Sequence, residues 1–197
     1  CWNVLLAIAH YHRGVVMSCV LWNDPLLARL SHDLAGWALS QPVPGTMAIE
    51  LDERRTVTVT SRRKRLFMGQ ITHTLFRLEG VCALQERVIL LARQPGWLKR
   101  HPVVFETREA GHDAGRLLQM VKRYPIIART LGELDYRRFR FTLAHGHWRC
   151  EVEPFAASEV RLSIPPMRRY LRLNTRQRML LLSLFQLLGQ MMARLAD

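Results

Sequence analysis

Six basic side chains lie between Arg54 and Arg65: Arg54, Arg55, Arg62, Arg63, Lys64 and Arg65. Six more lie between Arg161 and Arg178: Arg161, Arg168, Arg169, Arg172, Arg176 and Arg178. Neither run contains an acid. A guanidinium is a planar fork that matches phosphate and carboxylate oxygens, and summed like charge draws in polyanions from a distance. Thr56, Thr58 and Thr60 stand between the halves of the first run, and hydroxyls beside guanidiniums make a plausible phosphate track. The alternative is a strand edge that uses charge to discourage pairing with another edge. In the second run Tyr170 follows Arg168 and Arg169 and precedes Arg172, where its ring can stack on a base.

The rest of the chain sharpens this asymmetry. The formal net charge is +13, yet residues 1–50 hold only Arg13 and Arg29 against Asp24, Asp33 and Glu50, so the excess belongs to residues 51–197. Hydrophobic residues make up 49% of the 197, which argues for a real core rather than disorder.

Other chemistry is thinner. Glu106, Glu109 and His112 recur at three-residue steps, and on a helix face they could hold a metal or move protons. Gly111 and the strand-like run before it instead place them at a strand exit and loop, with Asp113 as the N-cap of the next helix. His10 with His12, and His145 with His147, each lack a third ligand and read as turn residues. Cys1, Cys19, Cys82 and Cys150 form no C-x-x-C pair, which argues against zinc and redox sites and for a reducing, cytoplasmic setting. The G-x-S-x-G, P-loop and dinucleotide fingerprints are all missing. No metal and no cofactor is expected, and an enzyme less than a binding module.

The elements that must carry these residues follow from periodicity. Residues 1–23 read as an apolar arm in two pieces joined at Gly14, too short and too interrupted for a membrane span. Asn23 or Asp24 can cap a helix with Pro25 at its first position. Residues 47–59 alternate with period two, and further strand-like runs are Leu66 to Leu78, Leu84 to Ala92 and Val103 to Thr107. In this reading Arg62 to Arg65 occupy or flank a turn. A helix from Asp113 to about Leu131 must break or kink at Pro125.

Phe139, Phe141 and Leu143, then Trp148, Cys150 and Val152, mark a hairpin with one apolar and one charged face, where Arg140 can pair with Glu151 or Glu153. Val160, Leu162 and Ile164 make a third strand stopped by Pro165-Pro166. The last helix starts at Asn174 or Thr175, with Gln177 placed for a capping box. Its narrow polar stripe of Ser183, Gln186, Gln190 and Arg194 demands burial of most of its circumference.

The expected fold is α+β: an antiparallel sheet of roughly six to eight strands, helices on one face and a long apolar C-terminal helix, in a single domain over residues 24–197. Glu153-Pro154-Phe155, Ala157-Ser158-Glu159-Val160 and Pro165-Pro166-Met167-Arg168-Arg169-Tyr170-Leu171-Arg172-Leu173 resemble a family of uncharacterised bacterial proteins defined only as a domain of unknown function. That resemblance covers roughly Asp24 to Leu195 and implies no activity. The leading functional expectation is a non-enzymatic basic module for a polyanion, either nucleic acid or an anionic membrane surface. The runners-up are a lipid or hydrophobic-ligand module with a pocket between sheet and last helix, and an enzyme built on Glu106, Glu109 and His112.

Overall fold

The computed structural model describes residues 22–94, 102–108 and 111–195; the expected N-terminal arm lies almost entirely outside them. Helix α1 (Pro25–Asp33) starts as its sequence requires, with the Asp24 carboxylate accepting from Leu26 N at 2.7 Å and Pro25 in the first turn. Strands β1 (Leu39–Ser40), β2 (Thr46–Asp52), β3 (Arg55–Leu66), β4 (Gly69–Val81), β5 (Val88–Arg93) and β6 (Val104–Thr107) follow. Helices α2 (His112–Arg123) and α3 (Pro125–Glu133) are the expected single helix broken at Pro125. Then come β7 (Tyr136–Ala144), β8 (His147–Pro154), β9 (Ser158–Leu162), β10 (Met167–Leu171) and α4 (Thr175–Ala193).

The described strands form one antiparallel sheet of ten, with eight in the order β1-β2-β3-β4-β8-β7-β5-β6. The long strand β4 organises it. Its C-terminal half pairs with β8 and its N-terminal half with β9, so β8 and β9 run along the same edge of β4, interrupted at residues 155–157. There Thr74 donates to Ala157 O at 3.0 Å, and Ala157 takes a positive φ of 53°. Beyond the interruption β10 pairs with β9, as β7 pairs with β8.

Alternation sorts the side chains. Ile49, Val57, Val59, Phe76, Leu78, Phe139, Phe141, Trp148, Cys150 and Val152 are buried on one face. They share a single core with Leu27 and Leu30 of α1, Leu117 of α2, Ile127 of α3, and Leu184, Phe185 and Leu188 of α4. The near-apolar C-terminal helix therefore covers core, as its pattern demands.

Several local expectations are corrected. Of the two placements expected for Arg62 to Arg65, they flank the turn rather than occupy it, continuing β3 because β4 pairs with it as far as Leu66. The strand of Val160 stops at Leu162, Ile164 is exposed, and a further strand, β10, forms beyond the two prolines. Gly111, not Asp113, is the N-cap residue of α2. The Asp113 carboxylate instead accepts from Gln85 N and Glu86 N, each at 3.0 Å, and these bonds hold its pKa below the ordinary value despite burial. Asn174 does cap α4, accepting from Gln177 N at 2.9 Å, but Gln177 does not close the box. Its amide reaches the end of α3 and the residues after it, donating to Glu133 O and accepting from Asp135 N.

Candidate anionic-surface docking site

Parts of the two basic runs, Arg63 to Arg65 and Arg161 with Arg168 and Arg169, meet at one end of the sheet, because the N-terminal half of β4 lies between β3 and β9. Register builds the site row by row. The outermost row is Leu66, Gly69, Leu162 and Met167, on β3, β4, β9 and β10 in turn. Behind it stands Arg65, Gln70, Arg161 and Arg168; then Lys64, Ile71, Val160 and Arg169; then Arg63, Thr72, Glu159 and Tyr170. An apolar rim is thus backed at once by arginines.

The turns complete the rim. Phe67 is 99% exposed and Ile164 70%, and Leu66, Met68 and Met167 are exposed too. The two turns are tied together by Ser163 N, which donates to Met68 O at 2.8 Å. Gly69 is needed for that approach, since a Cβ there would stand 2.1 Å from Arg161 O. A shallow groove of about 480 Å³ runs between the turns, lined by Arg65, Leu66, Phe67, Gln70, Arg161 and Ser163 among others.

Within the collar of Arg63, Lys64, Arg65, Arg161, Arg168 and Arg169, Arg161 and Arg168 bond one carboxylate, Glu159. Glu159 is buried and lies 2.9 Å from Arg168 and 3.1 Å from Arg29, with Arg161 also bonded. Burial pushes its pKa up, but the Arg161 and Arg168 bonds outweigh that, so it sits below the ordinary carboxylate value.

The other sequence candidates are placed differently. Arg54 and Arg55 sit at the opposite end of β3, in and after the turn from β2. Arg55 pairs with Asp52 at 2.9 Å and donates to Gln186 O of α4, lying against Gly189, where a Cβ would be only 2.7 Å from it. Arg172 is bound to buried Asp33 at 3.0 Å, as is the Tyr170 hydroxyl at 2.8 Å. The Tyr170 ring has the Arg29 guanidinium 5.8 Å from its centre, and burial followed by the Asp33 bond raises its pKa. Tyr170 and Arg172 anchor β10 to α1 rather than presenting a free stacking face. Glu106 is on β6, paired with Arg93 at 3.3 Å, and His112 is exposed at the start of α2. No helix face unites them, and Glu109 lies outside the described residues. No group of three His, Cys, Asp or Glu that could hold a metal occurs among the described residues.

A second basic region was missed. On the sheet face opposite the core, Arg62, Arg77, Arg138, Arg140 and Arg149 line a groove of about 540 Å³ with Glu79 and Glu151. Arg77 and Arg149 lie 3.0 and 3.1 Å from Glu151 and Glu79, and Arg138 is 3.2 Å from Glu153. Arg140 stands directly across from Glu151 in register, yet Arg77 and Arg138 take that carboxylate instead. Apart from Arg62 these arginines lie outside the two basic runs, spread over β4, β7 and β8; the alternation of Arg138 and Arg140 with the core phenylalanines is the signal that could have found them.

A family model described as a protein of unknown function (DUF3156) matches residues 32–192. No curated protein and no solved structure matches the chain.

Proposed function

We propose a function for this chain, which belongs to the protein family of unknown function DUF3156, from the geometry of its tip: it docks on an anionic lipid bilayer. The supporting observation is the order of the rows, exposed Leu66, Phe67, Met68, Ile164 and Met167 at the rim with Arg65, Arg161 and Arg168 immediately behind. An interface that is apolar below and phosphate-rich above matches that order layer for layer. Apolar side chains enter the boundary between headgroups and acyl chains, and each nearby Lys or Arg adds about 1 kcal/mol at an anionic leaflet.

Nucleic acid fits less well. Single strands need stacking platforms, and the rim offers one aromatic among four aliphatic side chains that phosphates would leave wet. No helix among the described residues is long and apolar enough to cross a membrane, so the tip is the means of contact this reading uses.

Co-sedimentation with vesicles tests it. The chain is expected to pellet with phosphatidylserine-containing vesicles, less so with pure phosphatidylcholine and less so as salt rises. Equal binding to both vesicle types, or no vesicle binding with tight binding to single-stranded DNA, overturns it.

A further inference from the structure

The groove on the open face of the sheet has more donors than acceptors. One cross-strand row there reads Thr58, Arg77, Glu151, Arg140 and Leu91, on β3, β4, β8, β7 and β5. Five arginines line the groove against two carboxylates, Glu79 and Glu151. Glu151 is shared by Arg77 at 3.0 Å and Arg138 at 3.8 Å; Glu79 is shared by Arg149 at 3.1 Å and Arg77 at 3.5 Å.

The Nε atoms of Arg138 and Arg140 are buried and donate no hydrogen bond within the protein, while Arg77 Nε lies 3.5 Å from Glu79. A buried donor without an acceptor costs about 1–3 kcal/mol, and buried polar groups in native proteins are paired with few exceptions. Two such donors stand on one face of β7, in a groove whose carboxylates are already shared.

We infer that this groove binds a phosphate group, free or as a monoester, with Arg140 as its principal ligand and the Nε–H group of Arg138 as a further donor. Arg140, like Arg62 at the groove's edge, has no ion pair among the described residues; it stands in the row of Arg77 and Glu151, and its planar fork suits two oxygens of one phosphate. Thr142, on the same face of β7, lines the groove beside it and supplies a hydroxyl that can donate to a third oxygen. Glu151 and Glu79 hold Arg77 and Arg149 in place and set a limit on affinity, since both repel the same anion. This site is separate from the tip and does not require bilayer docking.

NMR of the arginine Nε–Hε groups of the full chain, titrated with inorganic phosphate and in parallel with glycerol 3-phosphate at matched ionic strength, tests it. The expected result is saturable shifts confined to Arg138 and Arg140. Stronger response to glycerol 3-phosphate identifies a monoester, and stronger response to phosphate the free ion. Arg140→Gln should weaken binding about tenfold or more, the loss of one charge-assisted bidentate contact, while Arg54→Gln, at the far end of β3, leaves it unchanged. Absence of saturable shifts, or equal weakening by both substitutions, overturns the site. The double variant Phe67→Ser, Ile164→Ser should keep the phosphate response, which distinguishes failure here from failure of bilayer docking.

Discussion

The tip and the open face are both rich in arginine, but they spend it differently. On the open face the arginines are interleaved with Glu79, Glu151 and Glu153, and most guanidiniums are held by carboxylates across strands. At the tip Arg161 and Arg168 bond Glu159, while no ion pair of Arg63, Lys64, Arg65 or Arg169 occurs among the described residues, and all six stand beside a row of exposed apolar side chains. Charge matched inside the protein orders a surface; charge left unmatched next to apolar surface recruits a partner. A count of arginines along the chain cannot make that distinction, whereas cross-strand register can.

The contrast is open to attack from both sides. The largest effect is expected from Phe67→Ser with Ile164→Ser, which removes two apolar anchors each worth about 1–1.5 kcal/mol when partly buried in lipid. Binding to anionic vesicles should fall about 30-fold to 150-fold with thermal stability unchanged, because both side chains are exposed. Unchanged vesicle binding would place the anchor elsewhere.

Gly69→Ala strikes the junction that brings the turns together. The new methyl group meets the Arg161 carbonyl, and parting β4 from β9 should cost about 1–3 kcal/mol by chemical denaturation. A neutral result would contradict the close approach.

On the open face, Glu151→Gln leaves Arg77 and Arg138 without their shared carboxylate and should cost about 1–2 kcal/mol with vesicle binding intact. If vesicle binding fell instead, the two regions would not be distinct.

The smallest effect concerns pH. His73 lies 3.7 Å from Glu153 on the open-face side of β4, with Arg62, Arg137 and Arg138 nearby. Burial first, and then these arginines, depress its pKa below 6.5, against the raising effect of Glu153. The folded state therefore resists protonating it. Its contribution to stability is present above about pH 6.5 and is lost as pH falls through that value toward the folded pKa. The denaturation midpoint of His73→Gln should fall less than that of the unaltered chain between pH 7.5 and 5.5; parallel curves would refute the assignment.

Much of the fold was legible because the sheet has one buried face. Period-two alternation at Phe139, Phe141, Trp148 and Cys150 fixes that hairpin's faces, and the structure pairs Phe141 with Cys150 as the pattern requires. Strand β10 was hidden, since two prolines precede it and Met167–Leu171 is exposed over its first half, leaving no alternation to read. The continuation of β3 through Arg65 was hidden too, because four consecutive basic residues look like a turn until a partner strand is known. Both basic runs were visible, but their meeting depends on Gln70 pairing with Arg161, a contact about ninety residues apart in the chain that no local pattern encodes.

Depth measurement at the tip tests the docking account most directly. Nitroxide labels at Phe67→Cys and, separately, Arg54→Cys would be introduced into a chain with Cys1 and Cys19 replaced by Ser; Cys82 and Cys150 are buried. Accessibility to oxygen and to a polar relaxation agent would then be read on phosphatidylserine-containing vesicles. The account predicts that the label at 67 passes below the phosphate plane while the label at 54, at the other end of β3, stays in water. Equal aqueous exposure of both labels on bound protein would contradict it.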